Sequence, residues 1–360
     1  MASSTPPVVL FGYDSSVFTQ KVRLCLRIKQ IPYTYVTVPS MMPRPVLKDN
    51  FNLTYRKIPV LLIGRELYID TSLIIEALEH FFSEGYHSLY PRAADGRDYR
   101  PIIRGFASYW TDRPFFRVTT GLIPPTVWNS QFGVDRANLI GHKLDPAKLG
   151  AKVTSNKSKL DMHLSILEPL FHSGGDWVFS APTPSLADVA LHYQLNWGND
   201  MAVGRGLANL SGGELEDTNL DGLEAFFNDR RYPGLSRWFK RFKDHIDNLP
   251  LTETKVADPS AVLATLKSYE GPSNPPKMLP TGAPPMQELD EANQLTPGTL
   301  VSIAPDDTGR ESPTLGTLLA ISTEEIVIKP EELDIPARVP VNIHFPRIGF
   351  EIRPVNRGRL

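Results

Sequence analysis

The sequence predicts three structural units in series: an α/β N-terminal domain, an all-α helical domain and a small C-terminal all-β module. Strand-like and helix-like stretches alternate first, helical periodicity dominates the middle of the chain, and short β-branched runs dominate its end. A chain of 360 residues also exceeds the usual size of a single hydrophobic core, which favours several domains. We expect the three units at 1–92, 97–250 and 295–360, with a Pro-rich linker at 251–294.

The N-terminal domain is predicted from a strand–helix–strand unit that a hairpin and another helix follow. The run "VVLFGY" has strand length, and "VFTQKVRLCLRIKQ" has apolar residues near helical spacing without a Pro or Gly. "PYTYVTV" is rich in β-branched and aromatic residues, "PVLLIGRELYID" contains two strands around Gly64, and "TSLIIEALEHFF" returns to helical spacing. A strand, a crossover helix and a strand imply a parallel pair with a right-handed connection.

The remaining units are predicted from periodicity and from the distribution of proline. "DYRPIIRGFASYWTDRPFFRV", "NKSKLDMHLSILEPLFH", "SLADVALHYQLNW" and "PGLSRWFKRFKDHI" are helical in period. Within "TPSLADVAL", Ser185 and Asp188 have the spacing of an N-capping box with a structural role. Proline then accumulates in "GPSNPPKMLPTGAPPMQELD", which favours a linker or an extended arm. "GTLVSIAP", "LGTLLAIS", "EIVIKP", "VPVNIHF" and "FEIRPV" predict a small antiparallel barrel or sheet.

Composition argues against several classes of partner. The 38 Lys and Arg residues against 40 Asp and Glu residues leave a formal charge of −2, and no long basic run occurs, so we expect no nucleic acid partner. No apolar run reaches membrane-spanning length, so we expect no membrane partner.

The single cysteine, Cys25, excludes internal disulfides and reads as a buried small hydrophobe. The histidines show no metal-binding spacing, so no metal is expected. A start without a basic region favours the cytoplasm.

Two adjacent hydroxyls, Ser15 and Ser16, precede the first predicted helix in "YDSSVF". The free N–H groups and the dipole at a helix N-terminus favour an anion. A thiolate there would have a lowered pKa and could accept a hydrogen bond from a serine. Taken alone, the pair is more commonly explained as an ordinary helix cap.

Two further features of this domain allow a binding role or a purely structural one. In "RKIPVLLIG", a cis Ile58–Pro59 bond would turn the backbone of Ile58 towards an extended peptide-like ligand, although a trans proline at a strand start is more common. The segment Asp70-Thr71-Ser72 begins another helix. An acid and hydroxyls in that place can bind the ammonium and carboxylate of an α-amino acid, or can simply cap the helix.

Together, in this order and spacing, these features resemble the glutathione transferase superfamily. The segments that match are "YDSSVFTQKVRLCL", "RKIPVLLIG" and "YIDTSLIIEALE", and the resemblance extends to about residue 250. The order of elements is also similar to a serine-type, fungal-like subgroup with a C-terminal β extension. The resemblance implies a thioredoxin-like N-terminal domain that binds glutathione and a helical domain that binds a second substrate.

The resemblance implies one catalytic hydroxyl and a set of binding residues. Ser16 aligns with the position that activates the glutathione sulfur. The binding residues it implies are Ser15, Phe18, Arg44, Lys57, Ile58, Pro59, Asp70 and Thr71. Ile58 would pair with the cysteinyl part through its backbone beside a cis Pro59. The chain has Val17 where the family commonly has proline.

The other implied roles concern the two ends of glutathione and the second substrate. Asp70 and Thr71 match the pair that holds the γ-glutamyl group, and Arg44 and Lys57 lie where a basic residue usually meets the glycine carboxylate. We expect the pocket for the second substrate in the helical domain. Its candidate residues are Tyr109, Trp110, Arg113 and Phe116, together with Tyr13 near the sulfur. A helical aromatic stripe is more often part of a core than a ligand wall.

The expected function is that of an enzyme that uses glutathione as a cosubstrate and needs no metal. The partner would be a small hydrophobic electrophile, and the reaction a conjugation or a glutathione-assisted isomerisation or elimination. A homodimer is the assembly that we consider, although the sequence does not determine it. Two alternatives stay open: a glutathione-independent enzyme of small metabolites on the same scaffold, and a non-catalytic interaction protein that works through its C-terminal module.

Overall fold

The computed structural model describes residues 6–93, 95–172, 175–332 and 339–355. Its N-terminal domain has the predicted strand–helix order, and a short helix lies in the Pro-rich stretch before the hairpin. The elements are β1 (Val8–Gly12), α1 (Val17–Lys29), β2 (Tyr33–Thr37), α2 (Pro45–Phe51), β3 (Val60–Ile63), β4 (Glu66–Ile69) and α3 (Thr71–Phe81). Strand β1 pairs parallel with β2 and antiparallel with β3, which confirms the predicted parallel pair.

Helix α1 forms because its apolar residues recur on one face, and that face is buried. Val22, Cys25 and Leu26 are fully buried, and the helix ends at Gln30, which has left-handed backbone dihedrals. The predicted burial of Cys25 is confirmed. Burial raises the pKa of its thiol to about 12, so the thiol is not a reactive group at neutral pH.

The middle of the chain is helical, as predicted. The helices are α4 (Arg100–Gly105), α5 (Phe116–Thr120), α6 (Pro125–Trp128), α7 (Gln131–Ile140), α8 (Pro146–Ala151), α9 (Val153–Leu167), α10 (Leu186–Val203), α11 (Leu207–Leu210) and α12 (Pro233–Asn248). A π-helix, Phe106–Phe115, joins α4 to α5, and 3₁₀ turns lie at Glu168–Phe171 and Val178–Ser180. Helix α10 is buried on nearly all sides and packs against α1. Within the described ranges, no helix combines the length and apolar composition that a membrane span requires.

The C-terminal part contains strands that extend the N-terminal sheet. Its elements are β5 (Glu253–Val256), α13 (Ser260–Ser268), α14 (Gln287–Ala292), β6 (Leu300–Pro305), β7 (Thr314–Ile321), β8 (Glu325–Pro330), β9 (Asn342–Pro346) and β10 (Phe350–Pro354). The predicted linker region therefore includes one strand and two helices. The domain bounds themselves stay a prediction.

A single ten-stranded sheet connects the N-terminal domain to the C-terminal strands, in the order β10-β6-β7-β8-β9-β4-β3-β1-β2-β5. Strand β9 pairs parallel with β4, and β5 pairs parallel with β2. Within the module, the neighbouring strands are antiparallel, as the sequence predicts. The module thus covers one edge of the N-terminal sheet and β5 covers the other, a continuity that the sequence did not predict.

Candidate functional site

The two serines before α1 have different surroundings. Ser16 is the N-cap of the helix: its Oγ accepts a hydrogen bond from the backbone N–H of Thr19 at 3.2 Å. Because Oγ is the acceptor in that bond, its hydroxyl proton can still be donated to an anion. Ser15 instead donates its N–H and its hydroxyl to Oδ1 of Asn209, at 2.8 and 2.7 Å. Ser15 therefore joins the N-terminal domain to the helical domain.

The Ile58–Pro59 peptide bond is cis and directly precedes β3. The Ile58 side chain is buried, at 8% exposure, so the residue would meet a ligand through its backbone. The cis bond on which the predicted pairing with an extended peptide depends is therefore present. Pairing itself stays a prediction.

Asp70 begins α3 in a backbone conformation that residues other than glycine rarely adopt, with φ 69° and ψ 140°. Such outliers cluster at functional sites. The Asp70 carboxylate accepts hydrogen bonds from the N–H and the hydroxyl of Ser72, at 2.9 and 2.6 Å. It is therefore oriented as a helix cap, and its position at the helix N-terminus is compatible with the binding role that the sequence predicts.

Thr71 is oriented by a buried ionic network that the sequence analysis missed. The Lys21 ammonium donates to Thr71 Oγ1 at 3.1 Å and to Asp112 Oδ2 at 2.6 Å. Tyr193 donates its hydroxyl to the other carboxylate oxygen of Asp112 at 2.5 Å. Asp112 lies in the π-helix, a conformation that is frequent at functional sites. The signal available in the sequence was Lys21, a charged residue on the buried side of α1.

Arg44 lies in the predicted region, but its guanidinium is already bound to the backbone. It donates to the carbonyls of Pro39 at 2.8 Å and Ser40 at 2.9 Å, and also to the carbonyl of Arg56. Burial lowers the pKa of Arg44 to about 10. These bonds give Arg44 a role in holding the loop before α2.

Lys57 is the more accessible of the two predicted basic residues, and it has an ionic partner. Its ammonium lies 2.5 Å from the carboxylate of Asp307, in the connection between β6 and β7. The C-terminal module thus reaches this part of the N-terminal domain, a contact that the sequence did not predict. Asp307 is 250 positions away along the chain, so no local signal could have identified it.

Phe116 is the predicted pocket residue that faces the N-terminal domain. Its ring lies 4.8 Å from that of Phe18 and 6.1 Å from that of Trp197. Trp197 in turn donates its indole N–H to the carbonyl of Ser15 at 3.0 Å. An aromatic cluster therefore stands beside the segment that precedes α1.

The other predicted pocket residues are dispersed. Trp110 packs within the helical domain, with ring centroids 4.9 Å from Phe106 and 5.9 Å from His163. Tyr109 is 64% exposed, and the Tyr13 hydroxyl accepts a hydrogen bond from Arg136 at 3.3 Å. Arg113 is also exposed, and its guanidinium lies close to Gly349 in the turn between β9 and β10. A Cβ atom added to Gly349 would lie 2.8 Å from the Arg113 guanidinium.

Comparisons with known proteins match parts of this chain to glutathione S-transferases. Residues 10–85 match the family described as glutathione S-transferase, N-terminal domain, and residues 119–209 match a domain of unknown function (DUF7962). Glutathione S-transferase U18 from Arabidopsis thaliana is 23% identical over 260 residues, which are 71% of this chain and 95% of that protein. Glutathione S-transferase U3 from the same plant is 24% identical over 110 residues, 31% of this chain and 45% of that protein. This chain thus spans less than half of the latter relative.

One solved structure is similar over nearly the whole chain. A GST-like protein from Pseudomonas syringae has a TM-score of 0.65 at 23% identity, with 97% of this chain and 100% of that chain covered. This similarity includes the C-terminal strands as well as the first two domains. At this level of identity it establishes the shared fold.

Proposed function

Because the chain belongs to the glutathione transferase superfamily through its N-terminal domain, we propose that it binds glutathione and activates the glutathione thiol for reaction with a hydrophobic electrophile. The observation that supports this most is the combination of three structural features in one domain. They are the Ser16 cap of α1, the cis Ile58–Pro59 bond and the Asp70–Thr71 start of α3. A homodimer and a cytoplasmic location stay predictions.

Ser16 would stabilise the reactive sulfur. Its hydroxyl proton can be donated to a thiolate while its Oγ still accepts from Thr19 N–H. The N-terminus of α1 adds the positive end of the helix dipole, which lowers the pKa of a thiol placed there. Both effects favour the thiolate, the form that attacks an electrophile.

The γ-glutamyl end would bind at the start of α3. Asp70 offers a carboxylate for the ammonium group, and the positive end of the α3 dipole beside Thr71 suits a carboxylate. Thr71 Oγ1 accepts a hydrogen bond from Lys21 and donates its own to Asp112 at 3.4 Å, so this residue is positioned before a ligand arrives. Such preorganisation reduces the entropy that binding costs.

The second substrate would bind against the aromatic residues between the two domains. Phe18, Phe116 and Trp197 lie next to the Ser15–Ser16 segment. An electrophile with an apolar or aromatic body would gain from contact with these rings. This arrangement favours a hydrophobic substrate, for a conjugation or for a glutathione-assisted isomerisation or elimination.

A Ser16→Ala variant tests the proposal. We expect calorimetry to show that the wild-type protein binds glutathione. The variant should raise the pKa of the bound thiol, measured from its ultraviolet thiolate absorbance. It should also reduce turnover of a generic electrophile about tenfold to a hundredfold, the value of one hydrogen bond to a charged group.

Ser83→Ala is the control, because Ser83 is an exposed serine beyond the end of α3. The Ser83→Ala variant should have the same turnover as the wild-type protein and the same pKa of the bound glutathione thiol. The proposal fails if the wild-type protein does not bind glutathione, or if Ser16→Ala behaves like Ser83→Ala.

A further inference from the structure

The connection between β6 and β7, residues 306–313, crosses from the N-terminal domain to the helical domain. At one end, the Thr54 hydroxyl donates to the carbonyl of Pro313 at 2.9 Å. In its middle, Gly309 N–H donates to the carbonyl of Leu139, in α7, at 2.8 Å. This connection, which we call the bridging loop, is therefore anchored on both domains that form the candidate site.

The bridging loop presents an acidic side chain to the candidate glutathione site. The Asp307 carboxylate lies 2.5 Å from the Lys57 ammonium, with the Asp307 side chain 55% exposed and that of Lys57 27% exposed. Lys57 directly precedes Ile58 of the cis bond. The charge of Asp307 is therefore located beside the backbone that we propose to pair with the ligand.

Other basic groups near Lys57 are already engaged. Arg44 donates to backbone carbonyls before α2, and Arg56 forms an ion pair with Asp135 at 3.0 Å. Lys57 is consequently the best placed of these three residues to meet a ligand carboxylate. Its charge is compensated by Asp307 before any ligand binds.

We propose that Asp307 is a specificity-determining residue: by neutralising Lys57, it reduces the preference of the site for a ligand with a free glycine carboxylate. This inference rests on the proposed function. A free carboxylate must compete with Asp307 for Lys57 and is repelled by the acidic side chain. A ligand whose glycine end is an ester or an amide avoids both effects.

Asp307 is ionised when the ligand arrives. Partial burial would raise the pKa of its carboxyl, but the charge of Lys57 and the hydrogen bond to it prevail and lower that pKa. The anchors at Thr54 and Leu139 hold the loop in place, so the carboxylate is not free to move far from Lys57. The negative charge is therefore a constant feature of the site at neutral pH.

The test compares glutathione with its glycyl ethyl ester, titrated calorimetrically into the full chain. The wild-type protein should bind the two ligands with dissociation constants within about threefold of each other, because the Lys57 charge is compensated. Asp307→Asn should bind glutathione about threefold to tenfold more tightly and leave binding of the ester unchanged, as expected for a partly exposed ion pair.

Asp306→Asn is a matched control because it removes the same charge from the neighbouring residue. Asp306 donates its N–H to the carbonyl of Gly349 at 2.9 Å, and within the described part of the chain the ion pair of Lys57 is with Asp307 and not with Asp306. We expect Asp306→Asn to change the affinity for glutathione less than Asp307→Asn does. In a Lys57→Gln background, Asp307→Asn should no longer tighten binding of glutathione.

The inference is overturned if Asp307→Asn weakens glutathione binding, or if it changes the affinities for glutathione and for the ester equally. It is also overturned if Asp307→Asn and Asp306→Asn have the same affinities for both ligands. These results leave the proposed function intact, because they require a wild-type protein that binds glutathione. If the wild-type protein binds neither ligand, the proposed function and this inference fail together.

Discussion

At the scale of single residues, the main feature is a charged pair placed inside the protein. Lys21 has no exposed side-chain surface, and the Asp112 side chain is 12% exposed. Burial raises the pKa of the Asp112 carboxyl, although the charge of Lys21 opposes this shift. A buried pair of this kind contributes little net stability, but the loss of one partner leaves a buried charge uncompensated.

We predict that Asp112→Asn destabilises the protein by about 3–5 kcal/mol, because Lys21 would keep its charge without a carboxylate. Urea unfolding would measure the change in free energy. Combining Asp112→Asn with Lys21→Met should restore part of the loss, since no charge then remains buried. A double variant that loses the sum of both single effects would contradict this explanation.

At the scale of an element, helix α10 depends on the capping box at its start. One carboxylate oxygen of Asp188 accepts from the N–H and the hydroxyl of Ser185, both at 2.9 Å. The other oxygen accepts from Val178 N–H and from the Trp238 indole N–H, both at 2.8 Å. The capping box predicted from "SLAD" is confirmed. Through these bonds, the Asp188 carboxylate also connects the 3₁₀ turn at Val178 and helix α12, which contains Trp238, to the buried helix α10.

Replacing this carboxylate should be costly. We predict that Asp188→Ala lowers the free energy of unfolding by about 2–4 kcal/mol, because it leaves several buried donors without an acceptor. Thermal or urea unfolding would measure this loss. Asp145→Ala, which removes the exposed cap of α8, is the control and should produce a smaller loss. Equal losses in the two variants would mean that burial of the cap has no importance.

The pH dependence of this group follows from its burial, which raises the pKa of Asp188 to about 6 although its hydrogen bonds oppose the shift. The folded protein therefore binds this proton more tightly than the unfolded chain does. The contribution of Asp188 to stability should increase as the pH falls through about 6.

At the scale of the whole molecule, a buried histidine joins the C-terminal module to the N-terminal sheet. His344 in β9 lies between Glu66 in β4, at 2.7 Å, and Glu325 in β8, at 2.6 Å. Both ring nitrogens face carboxylates, so the charged imidazolium can donate to both. The same carboxylates accept from the N–H groups of Ser273 and Leu279 in the Pro-rich region, at 2.7 and 2.8 Å.

This cluster makes the stability of the molecule depend on pH. Burial alone would lower the pKa of His344, but hydrogen bonds and charges from Glu325 and Glu66 raise it above 6.5. For Glu66, burial would raise the pKa, but His344 and the other donors lower it below 4.5. The cluster therefore stabilises the folded protein fully between pH 4.5 and pH 6.5. This contribution to stability is lost as the pH rises through the folded pKa of His344 or falls through that of Glu66.

We predict that the free energy of unfolding of the wild-type protein decreases as the pH rises above 6.5, and that His344→Gln flattens this decrease. At the lower pH the variant should also be less stable by about 3 kcal/mol, because the two buried carboxylates lose their cation. The exposed His142→Gln should retain the wild-type pH profile. A profile that is unchanged in His344→Gln would show that the cluster does not control it.

Much of the fold was predictable because its signals are local. The apolar spacing around Val22 and Cys25 and the capping box at Ser185 each depend on a few neighbouring residues. The cis bond before Pro59 was implied by the family resemblance alone, because a local signal favours a trans proline. The surroundings of the candidate site were less predictable. Arg44 had a suitable position but is bound to backbone carbonyls, and this depends on how the loop before α2 closes.

Short-range periodicity and backbone chemistry were sufficient to predict the main strand–helix order of the N-terminal domain and the helix caps at Ser16 and Ser185. The residues of the candidate site came from the family resemblance. The pairing of β9 with β4, the contact of Asp112 with Lys21 and that of Asp307 with Lys57 became visible only in the folded molecule. These contacts join segments far apart in the chain. Which distant segments meet depends on how whole helices and strands pack against one another, and the local sequence does not indicate this.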